Sequence, residues 1–173
     1  MDGTKQNEVA SIKNRSTLER TSDRELTITR TINGPARLVF EAWTKAELFQ
    51  QWWVPKSIGL TLLSCEVDAR VGGKYRLVFK HPQAPEPMAF FGTYLEVTPC
   101  SRLSWTNEES GPDGQVTTAT FDEKAGKTLV IVRELYPSKE VLDAALESGS
   151  TAGDMNETFD QLDAFLASKS AIA

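Results

Sequence analysis

Residues 60–80 read LTLLSCEVDARVGGKYRLVFK, two runs of alternating character parted by a pair of glycines. In the first run Leu63, Cys65, Val67, Ala69 and Val71 fall on one face, and Ser64, Glu66, Asp68 and Arg70 on the other. That period of two marks a half-buried strand. The return run, residues 74–80, turns Tyr75, Leu77 and Phe79 one way. Gly72-Gly73 has the chemistry of a two-residue hairpin turn, because both glycines tolerate positive φ. Strands over 60–71 and 74–80 are therefore expected to open an antiparallel sheet.

The pattern continues in both directions. After a proline-rich loop, His81-Pro82-Gln83-Ala84-Pro85-Glu86-Pro87, further strands are predicted over 88–98, 102–107, 115–122 and 127–136. Their connections, Thr98-Pro99, Gly111-Pro112-Asp113-Gly114 and Lys124-Ala125-Gly126, are short and turn-like, as in a meander of neighbouring strands. Upstream, residues 26–32 alternate, with Leu26, Ile28 and Ile32 facing inward, until Asn33-Gly34-Pro35 stops the run. Pro35 suits the start of a helix, and Leu38, Val39, Ala42 and Trp43 recur at helical spacing. A second short helical turn over 45–51 leads into Trp52-Trp53.

Beyond Pro137 the period lengthens. Ser138 can cap a helix that runs to about Ser148 and ends at Gly149. Thr151 and Asp154 resemble a capping box opening a last helix to about Ser168, with a stripe of Met155, Phe159, Leu162, Phe165 and Leu166. The predicted fold is α+β: about seven antiparallel strands curled around one long C-terminal helix, with two short helices after the first strand. A single sheet with one helix to cover it must curl to bury that stripe.

At 173 residues the chain is about one domain long. Residues 1–24 carry five basic and four acidic side chains without periodicity, so they are expected to be a polar tail, loose or docked, ahead of a domain over 25–170. A net charge of −5 argues against nucleic acid as a partner. No stretch approaches the roughly 20 apolar residues of a membrane span, and no signal peptide is apparent, so a cytoplasmic location is expected. Cys65 and Cys100 read as reduced thiols. With His81 as the one histidine, no metal or other cofactor is expected.

Several segments resemble a known family. They are Val39-Phe40-Glu41-Ala42-Trp43-Thr44, Trp52-Trp53-Val54-Pro55, Asp68-Ala69-Arg70-Val71-Gly72-Gly73-Lys74-Tyr75-Arg76, Gly92-Thr93-Tyr94-Leu95-Glu96-Val97-Thr98-Pro99, Arg102-Leu103-Ser104-Trp105-Thr106 and Glu157-Thr158-Phe159-Asp160-Gln161-Leu162. Over about residues 25–168 the chain is similar to the bacterial proteins grouped with the heat-shock ATPase activator homologues (AHSA-like), within the START-like or Bet v 1-like (SRPBCC) superfamily. In one place it departs from their pattern: the last helix usually opens with Gly-Trp, and this chain has Gly153-Asp154-Met155. The resemblance implies a helix-grip fold with a cavity between the concave sheet and the final helix. It implies small-molecule binding, a polyketide cyclase or dehydratase type of chemistry, or a co-chaperone role, without choosing among them.

The reading preferred here is a binding module for a hydrophobic or aromatic small molecule, active as a monomer or weak homodimer. Trp52, Tyr75, Phe91, Trp105, Met155 and Phe159 are the expected cavity lining; the alternative for each is to fill the core. Arg30 and Arg133 share strand faces with apolar residues, so either can anchor a ligand carboxylate, pair with an acidic side chain near a strand end, or bend to solvent. Glu66 and Asp68 fall on the face opposite the apolar one, and His81 sits in a loop, so no catalytic residue is assigned. Residues 128–132 are apolar on both faces, which fits a central strand or a partly covered outer face.

Overall fold

The computed structural model describes residues 15–109, 114–149, 151 and 153–172. The expectations for residues 1–14 and for the Gly111-Pro112-Asp113 turn lie outside the described residues. Eight strands form one antiparallel sheet: β1 (Thr17–Ser22), β2 (Glu25–Ile32), β3 (Thr61–Val67), β4 (Lys74–Lys80), β5 (Met88–Thr98), β6 (Arg102–Thr106), β7 (Val116–Lys124) and β8 (Lys127–Leu135), in the order β1-β2-β8-β7-β6-β5-β4-β3. Strands β3 to β8 make the expected meander, and the first and last parts of the sheet meet where β2 pairs with β8. Helices α1 (Ala36–Thr44) and α2 (Ala46–Phe49) lie between β2 and β3, α3 (Lys139–Ser148) follows β8, and α4 (Asn156–Ile172) closes the described chain. This is the predicted α+β helix-grip architecture with one strand more.

The additional strand is β1. All six of its residues are exposed, so no buried alternation marks it in the sequence; backbone pairing with β2 holds it at the sheet edge. The hairpin also differs from expectation. Strand β3 stops at Val67, and residues 68–73 form the connection, with Val71 69% exposed. Gly72 N donates to Tyr94 O and Tyr94 N to Gly73 O, each at 2.9 Å, so the glycines lie against β5 and do not form a two-residue turn. A Cβ on Gly73 would stand 2.0 Å from the Asp68 carbonyl oxygen, which explains why a glycine is needed there.

Irregular register between Leu62 and Ser64 and between Tyr94 and Glu96 bends the sheet. Within β5 the pairing changes sides, residues 88–93 pairing with β4 and residues 94–98 with β6. The concave face then surrounds a core centred on Trp43. Its ring meets Trp52 at 4.8 Å, Phe121 at 5.3 Å and Phe159 of α4 at 6.1 Å.

Helix α3 matches its prediction: the Ser138 hydroxyl accepts from Val141 N and Gly149 ends the helix at φ 71°. Helix α4 starts later than the capping-box reading, at Asn156, where the Asp154 carboxylate accepts from Asn156 N. Met155 just before it has φ 55°, a left-handed conformation uncommon outside glycine and asparagine. A polar anchor fastens α4 to β2. Arg30 faces inward, buried, and donates to Asn156 Oδ1 at 3.1 Å, Asp160 Oδ1 at 2.7 Å and Asp163 Oδ2 at 2.9 Å. Asp163 also accepts from the backbone of Asn33 at 2.8 Å. Among the described residues no helix is long and apolar enough to cross a membrane.

Candidate functional site

Alternation on four strands sends large side chains to the concave face, and together they leave a cavity of about 280 Å³. Tyr75, Leu77 and Phe79 enter from β4, Tyr94 from β5, Trp105 from β6 and Val132 from β8. Trp43 of α1, Phe49 of α2, and Trp53, Val54 and Pro55 behind them complete an aromatic wall, with Met155 contributed from the α4 side. The Trp53 ring stacks on Phe49 at 4.8 Å. The segment bearing it is tied to α4, because Gln161 Nε2 donates to the carbonyls of Trp52 and Val54, both at 2.8 Å. Ser57 hydrogen-bonds to Glu157 beside it.

Polar groups also line the cavity. Asn107, Glu109, Gln115, Thr117 and Glu134 are among its lining residues. The Tyr75 hydroxyl donates to Thr106 O at 2.8 Å and lies 3.2 Å from Asn107 Oδ1; Asn107 Nδ2 in turn donates to Thr117 Oγ1 at 2.9 Å. Thr117 is the cross-strand neighbour of Glu134. Burial, reinforced by Glu109, Tyr94 and Glu108, pushes the Tyr75 phenol far above its ordinary value, so it remains a donor. Burial does the same to Tyr94, with smaller effects from Cys65 and Asp68. The Tyr94 hydroxyl has no hydrogen-bond partner among the described residues, although it belongs to the lining.

Glu134 is only 5% exposed, and its Oε2 accepts from the Tyr136 hydroxyl at a long 3.4 Å. No hydrogen bond reaches Oε1 among the described residues. Burial raises this carboxyl to about 7, and the Tyr136 contact opposes the shift only weakly. Between the ordinary value of 4.5 and about 7, the folded chain holds a proton that the unfolded chain has released. This group therefore subtracts stability as pH rises through that window and leaves it untouched below. Glu134→Gln, which cannot ionise, should gain on the native protein by on the order of 3 kcal/mol between pH ~4 and pH ~8. Urea midpoints of both proteins at the two pH values measure it; a difference independent of pH contradicts it.

The expected lining residues divide. Tyr75, Trp105 and Met155 stand at the cavity. Trp52 and Phe159 are fully buried in the packing behind it, Trp52 donating its indole N–H to Ala42 O at 2.9 Å. Phe91 is 40% exposed and sits on the outer face in a shallow groove with Glu66, Arg76 and Glu108; Phe90 takes the inward place. Arg30 does face inward, but it is consumed by the acidic side chains of α4. Arg133 is on the exposed face of β8, since the buried set there is Thr128, Val130, Val132 and Glu134. The inward charge of β8 is an acid and not a base. Glu66 and Asp68 are exposed, and His81 Nδ1 accepts from Gln83 N in its loop at 3.1 Å.

The sequence reading did not select Glu134, Asn107 or Thr117. The available signal was β7, where Thr117, Ala119 and Phe121 are buried in strict alternation. Its register against β8 sets Ala119 beside Val132 and Thr117 beside Glu134.

A family model described as activator of Hsp90 ATPase homolog 1-like protein matches residues 33–167. No curated protein matches the chain in sequence. Among solved structures, a protein from Staphylococcus epidermidis is 28% identical with a TM-score of 0.71, over 88% of this chain and 94% of that one. A protein from Rhodobacter sphaeroides reaches a TM-score of 0.78 at 21% identity, over 88% of this chain and 98% of its own. An AHSA1-like protein from Aeromonas hydrophila reaches 0.60 at 20% identity, over 80% and 92%. The last two likenesses are of fold.

Proposed function

Because the chain belongs to the family of activator of Hsp90 ATPase homolog 1-like proteins, matched over residues 33–167, we propose that it binds an apolar or aromatic small molecule in the cavity bounded by the sheet, the segment from α1 to β3, and Met155 just ahead of α4. The observation that supports this reading is the cavity of about 280 Å³ bounded mostly by aromatic and aliphatic side chains. Its volume is near the lower edge of the roughly 300–1,000 Å³ of small-molecule sites, which suits a ligand of one or two rings. Each methylene moved from water into it contributes about 0.8 kcal/mol. The few polar groups along the wall can orient such a molecule without dominating its affinity. The two free thiols, Cys65 and Cys100, fit the cytoplasmic location that the proposal assumes.

A thermal-shift screen of small aromatic and short-chain apolar compounds tests the proposal. A ligand at about one hundred times its Kd adds about 2.7 kcal/mol to stability, or a rise of about 5–10 °C in Tm for a domain of this size. A panel in which no compound raises Tm speaks against the reading.

A further inference from the structure

The cavity's charge is one-sided. Its lining holds two carboxyl groups, Glu109 and the buried Glu134, and, among the described residues, no lysine, arginine or histidine. The arginine that faces inward, Arg30, is already matched by Asp160 and Asp163. An anionic ligand would therefore be buried beside two acidic side chains without a counter-charge, at a cost of several kcal/mol. A cation meets the opposite situation: a carboxyl oxygen with no hydrogen bond among the described residues, and the aromatic rings of Trp43, Trp53, Trp105 and Tyr75 along the wall.

We infer that the cavity's ligand is an aromatic amine-bearing molecule, bound as its ammonium with the charge at Glu134 and the ring within the aromatic wall. This rests on the binding reading above and narrows it to one ligand class. Glu134 Oε1 supplies the acceptor, since Oε2 is occupied only by the long contact from Tyr136. The ammonium replaces the proton that burial keeps on Glu134, and that proton leaves to solvent, so a charged pair takes the place of a neutral acid. The cross-strand neighbours, Leu26 of β2 and Thr117 of β7, bring no charge to compete. The titratable groups that share this surrounding are Tyr136 just past the end of β8, and Tyr75, Tyr94 and Glu109 in the lining.

Calorimetric titration of the native chain with phenethylamine, phenethyl alcohol and hydrocinnamate separates the possibilities, since the three share a ring and differ in charge. The amine is expected to bind about tenfold or more tighter than the alcohol, with the acid weakest. Repeating the amine titration at about pH 6 in buffers of different ionisation enthalpy should detect release of close to one proton per ligand, and none with the alcohol. Glu134→Gln should abolish the amine preference, whereas Glu109→Gln should keep it. Equal or tighter binding of the alcohol or acid, an absence of proton release, or a preference that survives Glu134→Gln overturns the inference while leaving the cavity as a binding site. Binding of none of the three overturns both.

Discussion

Gly92→Ala is expected to cost about 4 kcal/mol or more, a large share of the 5–15 kcal/mol that typically stabilises a domain. The reason is local and geometric. Gly92 lies where β5 leaves β4 for β6, and a Cβ there would stand 1.8 Å from the Thr106 carbonyl oxygen, 2.8 Å from its carbon and 2.8 Å from the Tyr75 ring. Two of these neighbours are backbone, which cannot rotate aside. Thr93 N donates to the Thr106 hydroxyl and Glu108 N to Phe91 O on either side of the contact, so β6 cannot retreat without losing those bonds. Gly126→Ala is the matched comparison. Gly126 has φ 76° and nothing near its would-be Cβ, so only the left-handed backbone is penalised, by about 1 kcal/mol. Urea unfolding of both variants measures the contrast; equal costs would mean that the β5 corner can open.

The second large effect concerns the anchor of α4. Asp163→Ala should destabilise by about 3–5 kcal/mol, because it strips the buried Arg30 guanidinium of its more enclosed partner. The side chain of Asp163 is 16% exposed and that of Asp160 59%, at nearly equal distances from the same nitrogen. Solvent screens the outer pair, so Asp160→Ala should cost about 1 kcal/mol or less. Arg30 Nε is already buried without a partner, which leaves no spare donor geometry to absorb the loss. Substituting Arg30→Met together with Asp163→Leu removes both charges and should recover much of the stability, since apolar packing often replaces a buried pair at little cost. A double variant as unstable as Asp163→Ala alone would show that the charge is not the cause.

Where one strand face is apolar and the other polar, the sequence leaves no choice of orientation. In β4 the lysines, Arg76 and Val78 alternate with Tyr75, Leu77 and Phe79, and those three rings and side chains are buried as expected. Where both faces are apolar, a shift of one residue changes every assignment at no visible cost. Phe90-Phe91 and the run from Leu129 to Val132 are both of this kind. Local alternation accordingly points Phe91 and Arg133 inward, whereas Phe90 and Glu134 occupy those places. For β8 the deciding fact is not local: the neighbouring strands β2 and β7 fix its parity, and β8 is central in the sheet. Strand β1 was hidden for a different reason, because it contributes backbone pairing without burial. The Gly72-Gly73 pair was recognised as glycine-requiring for turn geometry, whereas Gly73 is required by the close approach of the Asp68 carbonyl.

The aromatic residues were legible as a set and not one by one. Trp43, Trp52 and Trp53 lie within one packed group, their rings 4.8 to 6.2 Å apart, and only the path of the segment after α2 decides which of them faces the void. Gln161 sets that path from α4 by holding two carbonyls of the segment, an interaction between residues more than one hundred positions apart.

Methyl NMR of the protein titrated with phenethylamine, an arylalkylamine, locates the bound ligand. The account predicts shifts, and ligand contacts, at the methyls of Leu60, Val67, Leu77, Val132 and Met155, which line the cavity. It predicts unchanged signals from Ile131 on the opposite face of β8 and from Leu18 and Leu146 on the surface. Shifts confined to those outer methyls, or to Met88 at the exposed start of β5, would place the ligand outside and contradict the account.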